Sequence, residues 1–172
     1  AIKKAIQIGD NSKGKLTNSY ELYQNLLFSE STLNQIDTVI KDAKITIELF
    51  PEQPVPYLFL GMNYLYKYDY LNAKKTLEQG LSLVVKEKDL LEDFYSNLGE
   101  ACYKLELKQE AYNYFDKTLE INPENYIVLN NYAYYLSIQN SDLEKAEKMA
   151  KKVYDKNSNN QTYVDTYAWV LY

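Results

Sequence analysis

The sequence predicts an all-α chain of antiparallel helix pairs stacked into a solenoid. Three observations predict it. First, a pattern recurs. Tyr57, Leu60, Gly61, Ala73 and Leu77 are followed by Tyr95, Leu98, Gly99, Ala111 and Phe115, and then by Leu129, Tyr132, Ala133, Ala146 and Ala150. A fourth start stands at Val164, Tyr167, Ala168 and Leu171, and the anchors Gly61, Gly99, Ala133 and Ala168 are 38, 34 and 35 residues apart. A period near 34 residues is that of a helix–turn–helix unit that buries its apolar face only against neighbouring copies. Second, no alternating apolar run is long enough for a strand, whereas apolar residues recur at helical spacing throughout. Third, glycine is scarce, at five in 172 residues, and Pro51, Asn122-Pro123 and Asn157 to Asn160 punctuate the chain between the periodic segments.

Taken in order, Ile2, Ala5 and Ile6 before Gly9 read as the last turns of a helix, and Asp10 to Lys15 as a loop. Leu16, Tyr20, Tyr23 and Leu27 predict a helix ending near Ser29, with a break at Ser29 to Thr32 that supplies N-caps. Leu33, Ile36, Val39, Ile40, Ala43 and Ile47 form the next stripe, which ends before Pro51. Pro54 and Pro56 suit the first turn of the following helix, where a missing N–H is harmless. Pairs are then expected at 55–67 with 70–85, 92–105 with 108–120, and 125–138 with 142–156, and a last helix opens near 161. Asn122 precedes Pro123 and is thereby pushed out of the helical region. Ser141, Asp142 and Asn157 to Asn160 are loop and cap compositions. Some four extra residues between Val85 and Asp93 account for the longer spacing, as loop or as an extra turn.

Composition narrows function. The 172 residues are 46% hydrophobic with a net charge of −5, which disfavours a nucleic-acid partner. There is no histidine, hence neither the commonest general base nor the commonest metal ligand. The lone Cys102 forms no intrachain disulfide and, beside Ala101, reads as a packed thiol. No catalytic set assembles, and no cofactor or metal is expected. Asp89, Glu92 and Asp93 lack a calcium-loop spacing and read as solvated acids at a helix start. Gly9 to Leu16 nearly spells a phosphate loop, but Leu16 stands where a hydroxyl must bind Mg²⁺ and the preceding residues have helical spacing. No 18-residue apolar run is present, so no membrane span is expected in this segment. The first and last residues both fall inside helical patterns, as if the chain continued.

Residues 92–125 resemble the tetratricopeptide repeat. Tyr95, Leu98-Gly99, Ala111, Phe115 and Pro123 stand at its aromatic, Leu-Gly, small, aromatic and terminating places. The likeness extends over about 55–158, with Gly80 for the usual Ala, Val85 for the usual Pro, and Ala133 for Gly. It divides the chain into degenerate repeat helices at 1–53, repeats at 54–91, 92–125 and 126–160, and a further first helix or cap at 161–172. The stretches from Leu129 and Tyr163 also look like repeat proteins of bacterial envelopes. The resemblance implies a right-handed superhelical solenoid whose first helices line a concave, non-catalytic groove for a peptide or protein segment. Its expected positions are Val55, Leu58, Met62, Leu65 and Tyr66, then Asp93, Ser96, Asn97, Glu100 and Tyr103. They continue with Ile127, Asn130, Asn131, Tyr134 and Ser137, and with Asp165, Thr166 and Trp169. Those we expect to bind are Met62, Tyr66, Asn97, Glu100, Tyr103, Asn130, Asn131, Tyr134 and Trp169. Val55, Leu58 and Leu65 have a second reading, as cover for a neighbouring helix. The carboxylate clamp of one subgroup is not expected, since Leu58, Met62, Ile127 and Asn131 occupy its places and only Asn97 matches. An alternative is a self-associating structural module, a homo-oligomer through Trp169 and Tyr172 of the C-terminal helix.

Overall fold

A computed structural model describes residues 19–172, and among these it contains α-helices and no strand. The helices are α1 (Tyr20–Thr32), α2 (Ile36–Leu49), α3 (Pro54–Tyr66), α4 (Tyr70–Leu81), α5 (Lys88–Lys104), α6 (Lys108–Ile121), α7 (Tyr126–Ile138), α8 (Leu143–Lys156) and α9 (Gln161–Leu171). The helix expected at Ile2 to Gly9 and the phosphate-like loop lie outside the described residues. Each helix packs on the next, and the first helices of successive pairs also meet, α1 with α3, α3 with α5, and α7 with α9. The fold is an all-α solenoid.

One turn recurs inside the pairs. Asn34, Tyr68, Glu106 and Asn140 all have φ between 49° and 61°, and they are 34, 38 and 34 residues apart. The next residue's N–H reaches back across the helix end in each case, Gln35 to Glu30, Asp69 to Tyr64, Leu107 to Cys102 and Ser141 to Leu136, at 2.9–3.0 Å. This is the Schellman closure, which satisfies the last carbonyls and reverses the chain. None of the four is glycine, and a left-handed residue with a Cβ costs about 1–2 kcal/mol. The helix pairing they permit supplies the compensation.

Two expected boundaries move. Ser29 to Thr32 are not a break but the last turn of α1. Their hydroxyls are absorbed by the helix itself, Ser29 donating to the Asn25 carbonyl and Thr32 to that of Phe28, both at 2.8 Å. Leu33 therefore caps α1 and stands 67% exposed instead of opening the α2 stripe. The helix expected over 70–85 stops at Leu81, and the four extra residues become an added first turn of α5, which begins at Lys88.

The pairs close on small residues. A Cβ built on Gly61 would stand 2.4 Å from Leu77 Cγ, and one on Gly99 would stand 2.4 Å from Phe115 Cε1. Both partners lie sixteen residues downstream and are buried, so the two glycines occupy equivalent close approaches. In the next pair, one residue longer, Ala133 takes the glycine's place and Ala150 that of Phe115, both buried. There the contact is made by two small residues instead of a glycine and a ring.

Polar clasps seat α7. Glu92 Oε1 accepts from Asn122 Nδ2 and Asn125 Nδ2, both at 2.8 Å, while Asn125 Oδ1 caps the Val128 N–H at 2.9 Å. Glu92 is thus not a solvated cap of its own helix but a tether for the turn between α6 and α7. On the other side of α7, Lys145 Nζ reaches Asp116 Oδ1 at 2.7 Å and the Tyr132 hydroxyl at 3.0 Å.

Candidate functional site

The site grows out of the sequence of the first helices. On α7, Asn130 and Tyr134, and Asn131 and Tyr135, are four residues apart and so lie one above the other. On α9, Thr162, Asp165, Thr166 and Trp169 repeat at three and four and make a second wall. Lys104, at the end of α5, supplies the third. Together these nine residues enclose a pocket of about 440 Å³ formed wholly by first helices. The second helices sit behind it and set its width.

Its floor is rigid. Tyr135 is 6% exposed, stacks on Tyr103 with ring centroids 3.5 Å apart, and donates its hydroxyl to Glu100 Oε1 and Oε2 at 2.9 and 2.8 Å. Burial first, and the Glu100 carboxylate after it, push the Tyr135 phenol well above its ordinary range, so it remains a donor at any physiological pH. Lys104 Nζ lies 3.4 Å from Glu100 Oε1 and 5.8 Å over the Tyr135 ring. Its charge is thereby met inside the protein. At the mouth, Tyr134 and Trp169 form a tilted pair, centroids 6.5 Å apart at 55°, and are 40% and 54% exposed.

Asn130 is the anomaly. It is 5% exposed and lines the pocket, its Nδ2 donates to Asn131 Oδ1 at 3.3 Å, and its own Oδ1 is buried without a hydrogen-bond partner. A buried unmet acceptor costs about 1–3 kcal/mol.

The expected groove residues separate into three groups. Asn130, Asn131, Tyr134, Asp165, Thr166 and Trp169 come together around the pocket. Glu100 and Tyr103 stand behind it, holding Tyr135. The remainder lie elsewhere. Met62 packs against the core cluster of Leu58, Leu77, Phe94 and Leu98, and Tyr66 is 64% exposed at the end of α3. Asn97 Nδ2 is taken by the Asp93 carbonyl at 2.8 Å, and Ser137 Oγ by that of Tyr134 at 2.7 Å. Leu58, 7% exposed, takes its second reading and is core. Ile127 projects into solvent, 66% exposed. Lys104, Tyr135 and Thr162 were missed. Lys104 follows Glu100 by one helical turn, a spacing that would have placed it on the same face. Tyr135 gave no such signal, because one of two adjacent tyrosines must turn inward and only packing says which.

Cys102 is fully buried, with Glu110 Oε2 at 3.9 Å, and burial pushes its thiol up to about 12. Little thiolate exists at neutral pH, so the thiol is protected both by access and by ionisation. Labelling with Ellman's reagent at pH 8 is expected to be slow in buffer and complete in denaturant, at a rate that tracks unfolding. Labelling in buffer as fast as that of a free thiol would place Cys102 at an accessible site. Among the described residues no cluster of acids and cysteine is arranged to hold a metal, and no helix is long and apolar enough to cross a membrane.

Comparison with known proteins agrees with this architecture. Two family profiles described as tetratricopeptide repeat match, over residues 92–125 and 114–148. No curated protein matches the sequence. Among solved structures, the chain is similar to one in the APC/C hetero-tetramer Cut9-Hcn1, with a TM-score of 0.81 and 19% identity over 90% of this chain. It spans only 30% of that chain's length. It is similar to YrrB, described as a TPR protein with an unusual peptide-binding site, with a TM-score of 0.69 and 18% identity over 99% of this chain and 92% of that one. It is also similar to MamA from Desulfovibrio magneticus RS-1, with a TM-score of 0.71 and 15% identity over 93% and 88%. At such identities the likeness is one of fold.

Proposed function

Taking as premise that this chain is a tetratricopeptide-repeat protein, and so a scaffold for protein–protein interaction, we propose that it binds an extended peptide segment along the concave face of its first helices. The observation that carries this is the pocket between α5, α7 and α9, with its rigid Tyr135 floor, its tilted Tyr134–Trp169 mouth and the unmet acceptor of Asn130. Aromatic side chains give large contact area at small entropic cost, and Asn both donates to and accepts from a peptide backbone. YrrB, whose described peptide-binding site sits on the same fold, supports the reading. No reacting group is needed for it, in keeping with a module that is in general non-catalytic.

The test is selection of random displayed peptides on the full chain, followed by calorimetry of a selected peptide. Tyr134→Ala is expected to weaken binding about tenfold or more while far-UV circular dichroism stays unchanged. Peptides that bind equally well to the variant would move the site away from this pocket.

A second reading has its own observation. Trp169 and Leu171 of α9 are exposed at 54% and 57%, which supports self-association through that helix. Sedimentation velocity at several concentrations separates the two readings, because only self-association makes the coefficient rise with concentration.

A further inference from the structure

We propose that the pocket between α5, α7 and α9 receives an arginine side chain presented by a segment of another protein. The inference rests on the peptide-binding reading above and gives that reading a chemistry.

Charge comes first. The first helices carry seven carboxylates and two lysines, whereas the second helices carry ten and eleven. Five of those seven carboxylates stand on α5 and α9, two of the three helices that form the pocket. Within it, Lys104 is already matched by Glu100 at 3.4 Å, so Asp165 leaves an excess negative charge at the rim. Asp165 Oδ1 accepts from Gln161 Nε2 at 2.6 Å, which orients the carboxylate and leaves Oδ2 free. Farther along α5, Asp93 has its carboxyl held above the usual range by burial and by Glu92 and Asp89. A cationic segment lowers that repulsion.

Hydrogen bonding adds a second demand. Asn130 lines the pocket and its buried Oδ1 lacks a donor, which favours a ligand rich in N–H groups. Third is the chemistry of the mouth. Trp169 and Tyr134 form a tilted pair there, both half-exposed, and an indole is the strongest aromatic receptor for a cation. A guanidinium meets all three demands at once. It stacks flat on an aromatic face while its fork of N–H groups reaches a carboxylate and an amide oxygen together, which a spherical ammonium does less well. The chain itself contains no arginine, its cations all being lysine, so a second copy cannot supply the group.

Trp169 is the sole tryptophan and its fluorescence reports the pocket directly. The full chain is titrated with the peptides acetyl-Gly-Ser-X-Ser-Gly-amide, where X is Arg, Lys, citrulline, Leu or Glu. The Arg peptide is expected to shift Trp169 emission saturably, at a concentration about tenfold below that needed for its uncharged isostere citrulline. Asp165→Asn, at an exposed position and checked for fold by circular dichroism, is expected to erase most of that difference, weakening the Arg peptide far more than the citrulline peptide. About 0.5 M salt should narrow it as well. Equal or tighter binding of the Lys, Leu or Glu peptide overturns the arginine assignment and leaves the peptide-binding reading standing. Silence of Trp169 toward all five peptides overturns both.

Discussion

Phe115→Ala is expected to lower the unfolding free energy by about 3–5 kcal/mol. Phe115 is 1% exposed and lies where three helices meet. Its ring fills the gap left by the missing Cβ of Gly99 on α5 and packs against Tyr132 and Tyr135 of α7 at 5.3 and 6.1 Å. Removing it opens a cavity that two rigid helices cannot close, because their separation is also fixed by Ala111, Cys102 and the turn at Glu106. Since Tyr135 is the floor of the pocket, a selected peptide should bind the variant more weakly as well. Urea unfolding followed by circular dichroism measures the first effect and calorimetry the second. A stability loss below about 1 kcal/mol would mean that the helices re-pack, and that Phe115 does not set their spacing.

Gly99→Ala is expected to cost about 2 kcal/mol, although alanine is the better helix former by about 1 kcal/mol. The new methyl would stand 2.4 and 2.5 Å from Phe115 Cε1 and Cδ1, and a fully buried ring has no open space to yield into. The two substitutions must therefore couple. In a Phe115→Leu background, which shortens the ring to a branched chain, Gly99→Ala should lose most of its cost, giving a coupling energy of about 1–2 kcal/mol. The chain already contains the complementary solution, with Ala133 and Ala150 at the corresponding places. Strictly additive effects in the double-mutant cycle would refute the idea that this glycine exists to admit that ring.

The same pair shows how much of the fold was legible. The period, the small anchors and the aromatic that follows each were all in plain view, because helix pairs that bury a face only against their neighbours must repeat their packing residues. Boundaries set by a residue with a local mechanism were legible too, as at Asn122-Pro123 and at Asp142, which caps α8 through Lys145 N. Boundaries without such a residue were not. Ser29 and Thr32 have the composition of a break, yet their hydroxyls bond back to their own helix. The turns at Tyr68 and Glu106 use left-handed residues that no propensity favours, since tertiary pairing overrides a penalty of about 1–2 kcal/mol.

The candidate site was legible in part for the same reason. Helical spacing alone put Asn130 with Tyr134 and Asp165 with Trp169. It did not choose among the many positions of the first helices, so Met62 and Asn97 stood beside Tyr134 as equals until one proved to be packing and the other to be bonded to its own backbone.

The sequence by itself determined that this protein is a row of helix pairs with one polar, tyrosine-rich end, because periodicity and composition are properties of a chain. Only the tertiary structure decided that α5, α7 and α9 converge on one pocket, that Lys104 is neutralised by Glu100, and that Asn130 is left with an unmet acceptor. The convergence depends on distances between residues some 30 positions apart, such as Glu100 and Tyr135, and even the short-range pair and the unmet acceptor acquire their meaning only from which faces that packing buries.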